Sequence, residues 1–189
     1  MKTALLLALL GFSVHAQPSV STVPHVDLNK YVGLWNELYR IPNSFQDNSS
    51  RSTSICFNTT AEYAALPDDK VSVTNTCTRE IDGKRVPDVA QALAAIVDKT
   101  SNAKLVVNFT GIAVLRWLGI GNGDYWILGL GPVNSEKRYE WALVGSPSLK
   151  YGWILARKKT LSPGELAKIF EIAKSNGYSQ DAFILTQRP

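Results

Sequence analysis

The sequence predicts an all-β fold: an eight-stranded up-and-down antiparallel barrel with one C-terminal α-helix packed on its outside. Three observations carry this prediction. Apolar residues recur with a period of two over eight successive segments, joined by short turn-forming connectors. Seven Tyr, six Phe and five Trp against a single Met suit pleated sheets and ligand-facing pockets better than a helical bundle. One helical signature stands alone, late in the chain. A closed barrel of about eight strands can hold one small ligand.

The strands are expected at 32–41, 53–64, 71–81, 86–97, 104–109, 124–130, 139–145 and 152–158. The turn sequence Leu66-Pro67-Asp68-Asp69-Lys70 folds the second and third into a hairpin. Asp98 to Asn102, Gly121-Asn122-Gly123, Gly131-Pro132 and Ser146-Pro147 punctuate the others. Ser162-Pro163-Gly164-Glu165 is a capping box with Pro at the first helical position. Leu166, Ile169, Phe170 and Ala173 then form one apolar stripe, and Asn176-Gly177 stops the helix. A short last strand follows at 183–187.

The 189 residues, 45% apolar and 19% charged, have a globular balance. The formal charge of +4 is spread along the chain, so no nucleic-acid partner is expected. Two His and two Cys exclude most zinc sites, paired-His haem ligation and HExxH hydrolases, so neither metal nor cofactor is expected. Residues 1–16 read as a secretory leader: Lys2, an apolar run from Ala4 to Phe12, and Val14-His15-Ala16 before the cleavage point. The run is too short to span a bilayer. The expected organisation is therefore leader 1–16, extension 17–26 and barrel domain 27–189. The product should be exported, extracellular or, in a Gram-negative bacterium, periplasmic. Export favours a disulfide. Cys56 and Cys77 stand about equally far from the hairpin turn and should pair. With His25 the one His left, and that one in the extension, no Ser-His-Asp or Cys-His arrangement is available.

Three blocks then carry a family resemblance. Leu28-Asn29-Lys30-Tyr31-Val32-Gly33-Leu34-Trp35-Asn36-Glu37 contains Gly-x-Trp at the start of the first strand. Asp124-Tyr125-Trp126-Ile127-Leu128 and Tyr151-Gly152-Trp153-Ile154-Leu155-Ala156-Arg157 follow in order. Together with the late helix they resemble the lipocalin family, and within it the apolipoprotein D and bacterial outer-membrane subgroup. The resemblance implies a non-enzymatic carrier of a small hydrophobic ligand, such as a fatty acid or lysophospholipid, in the barrel. The alternatives are a lipid-modifying barrel enzyme, a membrane-associated lipid scavenger, and a protein-binding module that uses its loops. No Cys follows the expected cleavage point, so a lipid anchor of the bacterial kind is not expected. The resemblance marks Gly33, Trp35 and Arg157 as structural. Arg157 lies in the strand next to the first, where its guanidinium can cover the Trp35 indole.

Strand parity nominates the pocket. If Trp35 points inward, Glu37 and Tyr39 follow. If Arg157 shares that interior, so do Leu155, Trp153 and Tyr151. In the sixth strand Trp126 is preferred, although its neighbours are also apolar. Tyr139 and Trp141 share a parity whose direction is open. Plain core packing competes for each of these residues. A buried Glu37 carboxyl needs a partner, and Arg40, Arg157 or a ligand head group could supply one.

The segment 111–120 is almost wholly apolar. Folding over the mouth, self-association and dipping into a membrane compete for it. The first is preferred, and the third would use Val114, Leu115, Trp117 and Leu118. A monomer or weak homodimer is expected. Asn48, Asn58 and Asn108 match the glycan acceptor pattern. Asn48 is the best placed, because the other two lie in strands and would need an outward face.

Overall fold

The computed structural model describes residues 19–47, 54–110 and 121–186. Eight antiparallel strands close on themselves: β1 (Gly33–Arg40), β2 (Phe57–Leu66), β3 (Lys70–Ile81), β4 (Lys84–Ile96), β5 (Lys104–Asn108), β6 (Asn122–Leu130), β7 (Trp141–Gly145) and β8 (Gly152–Ala156). Each pairs with its sequence neighbour, and β1 closes the ring by pairing with both β2 and β8. Closure leaves no open sheet edge around the barrel. The expected fold class is confirmed, and every expected strand exists to within a few residues.

Three short elements were not expected: α1 (Leu28–Tyr31), α2 (Ser44–Asp47) and a 3-10 turn at Gln180–Ala182. Helices this short lack the periodic pattern that reveals a long one. The last strand, β9 (Ile184–Leu185), is only two residues long. It takes over the edge of β1 where β2 leaves it. The β1–β2 ladder ends at Asn36↔Thr60, and Tyr39 and Arg40 pair instead with Leu185 and Ile184.

The barrel separates two apolar clusters. Inside it are Tyr31, Trp35, Tyr63, Val71, Val73, Leu105, Val107, Ile127, Val144 and Leu155. Outside it, the helix α3 (Pro163–Ser175) buries Ile169 and Ala173 on Leu38, Trp141, Leu143 and Ile154. The capping box is formed: the Ser162 hydroxyl accepts from the Glu165 amide, and the Glu165 carboxylate accepts from the Ser162 amide at 2.7 Å.

Cys56 and Cys77 form the expected disulfide. It ties the segment after α2 to β3. Near it Arg79, almost wholly buried, donates to Asp88 at 2.7 Å and to the carbonyls of Phe45, Gln46 and Ser54. These bonds hold α2 across one end of the barrel.

Candidate ligand-binding site

The two ends of the barrel differ. At the end where β1 begins, Gly33 has φ +93°, a conformation that strains any other residue, and a Cβ there would also push on the Arg138 guanidinium at 2.5 Å. Trp35 is fully buried, and its indole Nε1 donates to the Tyr31 carbonyl at 2.8 Å. Arg157 lies over the Trp35 ring, 3.6 Å from its centroid. Its nitrogens donate to the carbonyls of Lys30, Tyr31, Val32, Leu34 and Tyr139 at 2.6 to 3.3 Å. These include the carbonyls that α1 leaves unpaired at its C-terminus. Burial and the nearby Arg138 push Arg157 down to about 10. The chain before α1 completes the closure: Val26, fully buried, donates its amide to Ser101 at 2.7 Å.

The other end carries the mouth. Glu37 faces inward and is buried with Arg40, which donates to it at 3.1 Å. Arg40 also pairs with Asp47 of α2. The remaining partners come from distant segments. Thr186 donates its hydroxyl to Glu37 at 2.7 Å, and the Gln46 amide donates to the other carboxylate oxygen at 2.7 Å. The Gln46 amide oxygen accepts from the Trp153 indole at 3.1 Å and from Asn43 at 2.8 Å. Burial pushes the Glu37 carboxyl up, against the pull of Gln46, Thr186 and Arg40. Asp47 is held below its ordinary range: burial raises it, but the Arg40 and Asn43 hydrogen bonds together outweigh that.

Between the ends lies the lumen. Glu37, Trp153 and Leu155 face it, as parity predicted. The walls beside them carry small residues: Ala61 opposite Asn75, Ala92 opposite Val73, Gly123 opposite Val107 and Ala142 opposite Leu155. Trp153, Tyr125 and Ala92 belong to the inner cluster yet keep partial solvent contact. Tyr151 is exposed at the mouth, its ring stacked on Trp153 at 6.0 Å. Tyr139 packs against the inner cluster at the closed end, where its hydroxyl accepts from the Asp27 amide.

Three nominated residues are corrected. The register of β1 against β8 shifts between Glu37 and Tyr39, so a bulge at Leu38 turns Tyr39 outward onto Phe170 of α3. In β6 it is Tyr125 and Ile127 that face in. Trp126 faces out, with the Lys104 ammonium 4.5 Å above its ring. Trp141 lies in the outer cluster beneath α3. It shares a parity with Tyr139, but β7 begins only at Trp141 and the chain bends between them. Tyr31, Tyr63 and Tyr125 are inward-facing residues that sequence reasoning missed, and for Tyr125 its parity with Ile127 was the available signal.

Asn108 is also corrected as a glycan acceptor: it is buried and its amide donates to Asn122 at 2.6 Å. Asn58 is exposed, at φ +51°. Asn48 and the 111–120 segment with Val114, Leu115, Trp117 and Leu118 lie outside the described residues, as does the leader. Cys56, Cys77 and Asp88 bring their side-chain ligand atoms within 4.8 Å of one another. The disulfide consumes both thiols and Arg79 holds Asp88, so the group does not suit a metal.

Residues 26–188 match the family model for the lipocalin-like domain. Among curated proteins, the chain is 29% identical to the outer membrane lipoprotein Blc of Vibrio cholerae, over 90% of this chain and 87% of that protein. It is 30% identical to temperature-induced lipocalin-1 of Arabidopsis thaliana, over 84% and 77% respectively. It is 26% identical to apolipoprotein D of Bos taurus, over 94% and 85%. Among solved structures, lobster apocrustacyanin A1 superposes with a TM-score of 0.58 at 14% identity, covering 86% of this chain and 80% of that one.

Proposed function

Because the chain belongs to the lipocalin family, we propose that it is a non-catalytic carrier of a small hydrophobic ligand, held in the lumen between Trp35 and the mouth. The observation that carries this reading is the partial exposure of Tyr125, Trp153 and Ala92. Side chains that face the inside of a closed barrel meet solvent through an open lumen. Trp153 and Tyr125 supply apolar area between small neighbours, and a fatty acid or lysophospholipid matches that lining. Against a lipid-modifying enzyme stand the disulfide, which removes both thiols, and His25, which lies against the Thr100 carbonyl beside the closed end. The leader-like start and the disulfide support an exported protein, as do relatives named as an outer membrane lipoprotein and an apolipoprotein.

The test is displacement of a fluorescent fatty acid by hexadecanoic acid. Wild type should bind it, and Trp153→Ala should weaken binding about 10-fold or more while far-UV circular dichroism is unchanged, since burying a large apolar side chain is worth about 1.5–3 kcal/mol. Unchanged affinity in a folded variant would make Trp153 packing and not pocket.

A second reading is favoured by the rim. Phe45, Ile55, Ile81, Phe109 and Tyr151 are all exposed, and all lie in or beside the connectors of the open end. Such a ring suits contact between the mouth and a lipid surface. Wild type should then sediment with phosphatidylcholine–phosphatidylglycerol vesicles, and Phe45→Asp, Ile55→Asp should not. Failure of wild type to sediment removes this reading and leaves the carrier untouched.

A further inference from the structure

Three phenol hydroxyls meet inside the barrel. Tyr31 comes from α1, Tyr63 from β2 and Tyr125 from β6. The Tyr125 hydroxyl lies 2.7 Å from that of Tyr31 and 2.9 Å from that of Tyr63. Burial keeps all three protonated at any physiological pH. Each hydroxyl carries one proton, and each contact uses one. Two contacts among three hydroxyls leave one proton, and among the described residues these hydroxyls make no further hydrogen bond. A buried donor without an acceptor is costly, and native interiors avoid it.

A second hydroxyl points the same way. Thr59 is buried, and its oxygen has no hydrogen-bond partner among the described residues. Burial alternates along β2 so that Thr59, Ala61 and Tyr63 are all covered, with Thr59 beside the register shift between Phe57 and Thr60 and about 13 Å along the strand from Tyr63. Thr59 stands just past Thr60, where the β1–β2 ladder ends. A purely hydrocarbon leading end would leave the tyrosine proton unsatisfied, and Thr59 asks separately for a polar group nearer the mouth.

Beside the three tyrosine rings there remains a space of about 10 Å³, lined by Leu28, Val32, Val71, Ala94 and Leu105 among others. That is room for at most one water. The tyrosines are therefore the floor of the lumen, and the end of a ligand that enters first stops against them. Tyr125, inward and partly exposed, presents the surface it meets.

We propose that this floor is a subsite for a neutral oxygen, so that the barrel selects a lipid bearing a hydroxyl or carbonyl at its leading end over a plain hydrocarbon tail. The triad offers one proton and no cation. Arg157 spends its donors on the carbonyls at the closed end. A neutral oxygen matches that single donor, whereas an ionised carboxylate would give up its water for one hydrogen bond, with only the charge of Arg157 acting from behind Tyr31. The inference rests on the carrier reading and names the ligand class for the same lumen.

The test compares hexadecanoic acid with 16-hydroxyhexadecanoic acid on the full chain, by displacement of the same fluorescent probe. An apolar floor would penalise the terminal hydroxyl about 10-fold or more, because the group would lose its water without replacement. The proposal expects wild type to bind the hydroxy acid at least as tightly as the parent acid. Tyr125→Phe, which keeps the ring and removes the hydroxyl that meets the lumen, should lower affinity for the hydroxy acid about 10-fold relative to hexadecanoic acid, whatever it does to the parent acid. Tyr63→Phe, which leaves two hydroxyls, one contact and still one spare proton, should keep the wild-type preference, and the wild-type comparison carries the test if Tyr125→Phe does not fold. A wild-type preference for the parent acid of about 10-fold overturns the subsite, as does an equal effect of Tyr125→Phe on both acids. In both cases hexadecanoic acid still binds and the carrier reading stands. Binding of neither acid overturns the carrier reading, and the subsite with it.

Discussion

Each end of the barrel is built on an arginine, half-buried at the closed end and fully buried at the mouth, and the two are satisfied by opposite means. Arg157 at the closed end meets a ring face and backbone carbonyls. Arg40 at the mouth meets Glu37 and Asp47. Burial wins at Arg157, with Arg138 adding to it, and the guanidinium falls to about 10. At Arg40 burial also lowers the value, but the two carboxylates outweigh it and hold the guanidinium above its ordinary value. Dipoles and π faces do not titrate near neutral pH, whereas carboxylates can. The Trp35–Arg157 pair should thus be pH-indifferent, with acid sensitivity at the closed end confined to Asp27 and Asp98, both held below their ordinary range, and the mouth should be a set of ionised contacts that responds to acid.

The largest expected effects remove one partner from either end. Trp35→Ala should cost about 3–5 kcal/mol in urea unfolding, through the cavity it leaves. Arg40→Met should cost a similar amount, about 3–5 kcal/mol, because Glu37 stays buried without its charge partner. The double variant Arg40→Met, Glu37→Met should recover much of that loss, since the uncompensated charge has gone. No such rescue is available to Arg157, which has no buried counter-ion. Arg157→Ala and Trp35→Ala should instead show coupling in a double-mutant cycle, because the side chains touch. Additive losses would mean that the indole and guanidinium do not support each other.

Opening the disulfide tests whether the mouth is held covalently or by ions. With a sequence separation of 21, Cys56→Ser, Cys77→Ser should cost about 3 kcal/mol. The smallest effect concerns pH. Glu37 is raised in the fold, so its ionisation costs stability that grows as pH rises from its ordinary 4.5 through the raised value. Asp47 is lowered, so its contribution is present above its ordinary 3.8 and is lost as pH falls through the lower folded value. Stability should therefore rise on mild acidification and fall in stronger acid. Glu37→Gln should flatten the first part. Trp35→Phe should shift the whole curve without changing its shape, and a change of shape would break the contrast between the ends.

The closed end was legible in the sequence because its parts are local or motif-bound. Gly33 and Trp35 stand together, and Arg157 follows a strand whose place beside β1 is dictated by barrel closure. The Cys56–Cys77 pairing followed from hairpin symmetry. The mouth was less legible. Arg40 was foreseen as a partner for Glu37, but Gln46 and Thr186 reach it from separate segments and carry no pattern. Parity also fails wherever one extra residue enters a strand. The bulge at Leu38 sent Tyr39 to the helix side, and the register shift between Ile127 and Gly129 marks a second one. Neither leaves a mark in composition.

The central claim is that the ligand lies in the lumen above the closed end and not in the outer layer beneath α3. Trp153 faces the lumen, while Trp126 and Trp141 face outward. Hexadecanoic acid should quench tryptophan emission in wild type. Trp153→Phe should abolish most of that change, and Trp126→Phe should preserve it. Quenching that survives Trp153→Phe and disappears in Trp126→Phe would place the ligand outside the barrel and contradict the account.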